Sequence, residues 1–188
     1  PKLTLNASAG YSFSNDQITQ LIFTDGDMRH ETYGNIGKMR NGWFSLYAQW
    51  MPTPKTNISL NASAGYSNYL NDDLSISNKR WYCNFYAYAS QELPWKLRLS
   101  LNGGRNGGGV WDLYRYSCPD YFYALGLQRS FLKDDRLTVQ VFAMNPFSSK
   151  YQRYHSVTRY GDYTGREISR YPQRMFQVAV SFNFGSLK

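Results

Sequence analysis

The chain is poor in the residues most enzymes and metal proteins rely on. It has two cysteines, Cys83 and Cys118, and two histidines, His30 and His155, set far apart along the chain. Zinc sites need clustered Cys/His ligands, so neither pair offers a metal pattern, and a lone histidine is read as a solvated side chain. No stretch approaches ~18 consecutive apolar residues, which excludes a transmembrane helix. No charged-then-apolar leader opens the sequence, and Pro1 leads almost directly into a strand pattern. Residues 103–109, GGRNGGG, lack the Lys-Ser/Thr ending of a phosphate-binding loop and are not followed by a helix pattern. A flexible loop or strand bend explains them. Asp134-Asp135 falls in a tight turn rather than in a paired acid/base arrangement. Catalytic residues, a bound metal and a cofactor are therefore not expected. The net charge of +8 is spread along the chain with no basic stripe and no recognisable module, so a nucleic-acid partner is not expected either.

Aromatics are abundant, at 18% of residues with 17 tyrosines, although the mean hydropathy is −0.57. The octamer LNASAGYS occurs at residues 5–12 and again at 60–67. In the first copy Leu3, Leu5, Ala7, Ala9 and Tyr11 alternate with Thr4, Asn6, Ser8, Gly10 and Ser12. The second repeats this with Ile58, Leu60, Ala62, Ala64 and Tyr66 against Ser59, Asn61, Ser63, Gly65 and Ser67. Such alternation marks a β-strand with one apolar and one polar face.

The same period recurs at Phe44–Trp50, Trp81–Ala89, Leu97–Leu101, Tyr121–Leu127, Leu137–Ala143 and Phe176–Phe184. No stretch favours the helical period. Three connections, at 51–56, 92–95 and 132–136, are short and carry Pro, Asp and neighbouring polar residues. The intervening ones, roughly 15–40, 70–80, 103–119 and 146–172, read as long loops. Alternating short and long connections predict about eight antiparallel strands in an up-and-down meander. They match the short inner turns and long outer loops of a transmembrane β-barrel. On this reading Tyr11, Tyr66, Trp50, Trp81 and Phe184 form interfacial girdles. In the last strand Val178, Val180, Phe182 and Phe184 meet lipid, whereas Gln177, Ser181 and Asn183 face inward. A soluble barrel with an apolar interior has the same period and remains an alternative. Cys83 and Cys118 fall on strands separated by a third, about 10 Å apart, beyond disulfide reach of ~7 Å, and are expected to be free.

The stretch YFYALGLQRSFLKDDRLTVQVFAMNPFSSKYQRY, followed by YPQRMFQVAVSFNFG, resembles the C-terminal end of TonB-dependent outer-membrane receptors and their outer-membrane β-barrel relatives. NIGKMRNGWFSLYAQWMPT is similar to an earlier strand pair of that family. Asn145-Pro146-Phe147 departs from the commoner Asp-containing version. The resemblance implies that residues 1–188 are the C-terminal portion of a larger 22-strand barrel and hold no plug domain. It implies a role as barrel wall and outer loops in nutrient uptake. Implied partners are outer-membrane lipid and lipopolysaccharide, the remaining strands and plug, and a surface lipoprotein. The alternative is a self-contained eight-stranded barrel with a structural or adhesive role.

Between residues 147 and 174, Lys150, Arg153, Arg159, Arg166, Arg170 and Arg174 outnumber Asp162 and Glu167 and are interleaved with tyrosines. Guanidinium forks bind phosphate or carboxylate, and tyrosine adds a flat amphipathic face. Lys150, Arg153, Tyr154, Arg159, Tyr160, Arg166 and Arg170 are thus the candidate contacts for lipopolysaccharide phosphates or an incoming ligand. A solvated loop kept out of lipid by its charge fits the same residues.

Overall fold

A computed structural model describes residues 2–149 and 151–184, with side chains left out of account at 151–154. Eight strands form one antiparallel sheet in the order β1-β2-β3-β4-β5-β8-β9-β12. These are β1 (Leu3–Asp25), β2 (Met28–Thr53), β3 (Thr56–Asn71), β4 (Ile76–Leu93), β5 (Leu97–Asn106), β8 (Asp120–Phe131), β9 (Leu137–Met144) and β12 (Met175–Phe182). A second sheet, β11-β10-β7-β6, uses β6 (Gly109–Val110), β7 (Arg115–Ser117), β10 (Tyr151–Tyr160) and β11 (Tyr163–Pro172). The fold is all-β and antiparallel. The large sheet is not closed: β1 and β12 each have a single neighbour.

The repeated octamer finds its purpose in the ladder. The two copies flank β2 on either side in the same register: Leu5 and Leu60 both pair with Ala48, Ala7 and Ala62 with Leu46, and Ala9 and Ala64 with Phe44. On the opposite face Gly10 and Gly65 both pair with Trp43. Small residues on both sides make room for the large side chains of the shared strand. A Cβ on Gly10 would lie 2.6 Å from the Trp43 ring, and one on Gly65 would lie 2.4 Å from the Tyr82 hydroxyl. The polar face therefore carries a row, Gly10–Trp43–Gly65–Tyr82, in which each aromatic covers a glycine, as in aromatic rescue.

The outward face is largely apolar across the sheet, with Arg105 and Arg129 the charged outward positions on β5 and β8. One row at right angles to the strands runs Leu3, Trp50, Ile58, Ala89, Leu101, Leu125, Ala143, Phe176. On β1 the belt rises from this row to Tyr11, whereas on β12 it descends from Phe176 to Phe184. The belt thus slips by eight residues from the first strand to the last, most of it after β4. At ~3.3 Å per residue and ~4.8 Å between strands, that slip is a strand tilt of roughly 40°, within the range of transmembrane barrels. The inner turns drop in step, from Thr53/Thr56 to Leu93/Leu97 to Phe131/Leu137. The last turn is a single 3₁₀ turn, Lys133–Asp135.

Little of this apolar surface is covered. Among the described residues the buried apolar set is Ile22, Leu113, Tyr114, Tyr116, Ala124 and Val157. Leu5, Phe44, Trp50, Trp81, Leu101 and Val178 are exposed on the outward face, Val178 to 68%. A water-soluble domain of this length buries a far larger core. Lipid is the solvent that fits.

The outer connections depart from the expected long loops. Residues 15–40 are a continuation of β1 and β2, closed by a two-residue turn at Gly26-Asp27 with Asp25 opposite Met28. Gly26 holds φ +58° there, which an L side chain adopts only with strain. Register shifts near Gln17 mark bulges where the hairpin leaves the belt. The 70–80 connection reduces to a turn between Asn71 and Ile76. Residues 146–172 contain the β10–β11 hairpin, turning at Gly161-Asp162. Residues 103–119 hold β6 and β7. The account of eight strands joined by loops is therefore corrected to eight wall strands whose outer ends extend as hairpins.

Candidate functional site

Inward-pointing positions on β4 follow from its alternation. Ile76, Asn78, Arg80, Tyr82 and Asn84 face away from Trp81, Cys83 and Phe85, which lie in the belt. The segment after β5 docks on this inner face. The Gly107 amide donates to Asn84 Oδ1 at 2.6 Å, and a Cβ on Gly107 would lie 2.4 Å from the Cys83 carbonyl oxygen. Further out, Asn78 Nδ2 donates to the carbonyls of Asp112 and Arg115 at 2.9 and 3.2 Å.

Asp112 organises the tip of this segment. Its carboxylate accepts from the amides of Tyr114 and Arg115, both at 2.8 Å, and from Arg115 Nε at 2.7 Å. Both oxygens are used within the turn, so Asp112 has little capacity left to neutralise other cations. Leu113 and Tyr114 then pack with Ile22 of the β1 extension, against Tyr69, Ile76 and Tyr160. The Arg159 amide donates to the Tyr114 carbonyl and the Cys118 amide to the His155 carbonyl, both at 2.9 Å. Four outer elements are thereby tied together on the polar side of the wall.

Between them lies a cavity of about 310 Å³ bounded by residues 76–80, Leu113, Tyr114, Tyr116 and residues 159–161. The Arg80 guanidinium carbon stands 3.3 Å from the Tyr116 ring centre and that of Arg159 stands 5.7 Å from it. Cation–π attraction holds a guanidinium over such a ring without consuming its charge. Arg80 Nε is buried without a hydrogen-bond partner. Among the described residues no carboxylate pairs with Lys79, Arg80 or Arg159. Arg29, over the Tyr160 ring at 5.3 Å, is already paired with Glu31.

Of the sequence-derived candidates, Arg159 and Tyr160 line this cavity. Arg166 and Arg170 lie on β11 and are exposed. Lys150, and the side chains of Arg153 and Tyr154, lie outside the described residues. Sequence reasoning missed Arg80, Tyr116 and Asn78. Arg80 stands beside the belt residue Trp81, and the period-two pattern of β4, extended one step outward, would have placed it inside. Cys83 and Cys118 are free. Among the described residues no group of three or more His, Cys, Asp or Glu side chains is gathered as a metal site would require.

A tilted antiparallel wall with a lipid-compatible belt and hairpins on one rim defines a transmembrane β-barrel protein. A model of the outer membrane protein beta-barrel family matches residues 2–184, and the chain belongs to that family. It resides in the outer membrane. No curated protein and no solved structure matches the chain.

Proposed function

We propose that the chain forms part of the wall and outer loops of a TonB-dependent receptor for nutrient uptake. The observation that carries this reading is the pair of open edges, β1 and β12, combined with a bulky inner face. Trp43, Tyr47, Tyr82, Tyr86, Tyr88, Phe122 and Phe142 all point inward by the strand alternation. The interior of an eight-stranded barrel is only wide enough for side chains to fill. These rings, with the segment docked on β4, overfill it, whereas a barrel of about 22 strands has room for them and for a plug. The C-terminal sequence resemblance supports the same reading, with outer-membrane lipid, lipopolysaccharide, the remaining strands and a surface lipoprotein as its partners.

The experiment is uptake by cells carrying the native gene. Accumulation that stops when the inner-membrane proton gradient is collapsed is the expected result. An outer-membrane protein that spans the bilayer with eight strands and supports no energised uptake overturns the reading. One observation favours the second reading, a self-contained barrel with a structural or adhesive role. The eight-residue slip of the belt would set Phe176 level with Tyr11 if β12 closed onto β1.

A further inference from the structure

We infer that the cavity between the inner face of β4 and the β10–β11 hairpin is a binding site for a small soluble anion. Its ligand carries a carboxylate or phosphate on a hydroxylated or ring-bearing body. Three observations carry this. Arg80 and Arg159 converge on one cavity of about 310 Å³. Folding that gathers two like charges without a carboxylate between them leaves a local positive field that an anion relieves. Their acidic neighbour, Asp112, spends both oxygens on Tyr114 and Arg115. Asp162, one residue beyond Gly161, is exposed in the hairpin turn and makes no ion pair with these cations.

The second observation is the geometry of the guanidiniums. Arg80 and Arg159 lie against one ring, Tyr116. That ring restrains both side chains, so less freedom is lost when their forks engage an oxyanion. Neither guanidinium donates a hydrogen bond to another described residue, and their charge-assisted donors are therefore available for a carboxylate or phosphate. Tyr160, half-buried at the edge of the cavity, supplies an amphipathic face against which a sugar or other ring can lie.

The third is the side of the wall. Asn78 and Arg80 alternate with Trp81, so the side chains that β4 turns toward Tyr116 and Arg159 stand on the polar face and not on the lipid face. Lipid A carries the same phosphate chemistry, but its headgroup lies on the belt side. The occupant is thus a soluble molecule reaching the site from the lumen or the outer rim. This holds whether the barrel is a receptor wall or closes by itself.

The test is calorimetric titration of the full-length protein in detergent with citrate, glucose 6-phosphate and glucose, without energised membranes. The result is therefore independent of transport. Saturable binding of citrate or glucose 6-phosphate, none of glucose, and at least a tenfold loss in Arg80→Gln and in Arg159→Gln are expected. Arg136→Gln, exposed in the inner turn at the other rim, is the charge-matched control and should bind as the parent does. Unchanged electrophoretic heat-modifiability shows that each variant is folded. Arg80→Lys, which keeps the charge and loses the fork, should bind at an intermediate level. Absence of saturable binding, or equal weakening by Arg136→Gln, overturns the inference. So does binding only to vesicles containing lipid A.

Discussion

Gly65 shows how tightly the inner face is fitted. A Cβ there would lie 2.4 Å from the Tyr82 hydroxyl and 2.6 Å from the Gly42 carbonyl oxygen. A side chain can swing away, but a backbone carbonyl inside a ladder cannot move cheaply. Gly65→Ala is expected to destabilise by about 1–3 kcal/mol through overpacking. Gly109→Ala, where nothing stands within 4 Å, is the control. Urea midpoints of the two variants check the difference. Asn145 is a second such residue. It is buried at 2% exposure and ends β9 with φ +46°. It accepts from the Tyr123 amide at 2.8 Å and donates to the Gln173 carbonyl at 3.2 Å. Asn145→Ala leaves the Tyr123 amide unpaired, at a cost of about 1–3 kcal/mol, and the same urea comparison reads it. Electrostatics at the rim is simpler. On the outer extension of β2, the hydrogen bond from Lys38 to Asp72 and its negative charge raise the lysine above its ordinary value. The lysine's side of the bond is therefore intact across neutral pH and is lost as pH climbs through the raised lysine value.

β12 is the element that tests the belt. Every described residue of it is exposed, with β9 as its one neighbour. Val180 lies mid-belt and Ser181 points inward. Val180→Lys should cost about 2–4 kcal/mol, the depth-dependent figure for a lysine at the bilayer midplane, while Ser181→Lys should insert normally. Folded yield into vesicles measures both. The wall strands were legible in the sequence because one face is apolar and the other polar, so a single register satisfies both solvents. Beyond the belt that reason lapses. Residues 15–25 rise above the belt, where Ile22 packs on Leu113 and Tyr114 and no lipid selects the other face, and the alternation fades although the segment remains β1. The Gly26-Asp27 pair was the available signal, Gly-Asp being a two-residue hairpin turn in its own right. Tyr154, Ser156, Thr158 and Tyr160 also alternate with neighbours across the Gly161-Asp162 turn, a pattern hidden by tyrosine and arginine on both faces. Arg159 and Tyr160 were found as candidates by composition. Their meeting with Arg80 and Tyr116 depends on a docking over long sequence separation, which local pattern does not encode.

At the scale of the molecule, the two open edges govern behaviour. Each unpaired backbone group in lipid costs several kcal/mol, so β1 and β12 must find neighbours. The crowded inner face argues against the chain closing on itself. In detergent the isolated chain is expected to pair edges with another copy or to self-associate, and light scattering should report a mass above the monomer. A monodisperse, heat-modifiable monomer would contradict this. Cross-linking of Ala7→Cys to Val180→Cys, level with each other if the belt closes with its eight-residue slip, would then locate the seam.

The central claim is that the apolar belt meets lipid while the opposite face lines the interior. Spin labels placed one at a time at positions 177 to 182 of the bilayer-embedded protein test it most directly. Accessibility to oxygen should peak at 178, 180 and 182, and accessibility to a water-soluble nickel chelate at 177, 179 and 181. Equal accessibility to both quenchers at neighbouring positions, or the opposite phase, would contradict the account.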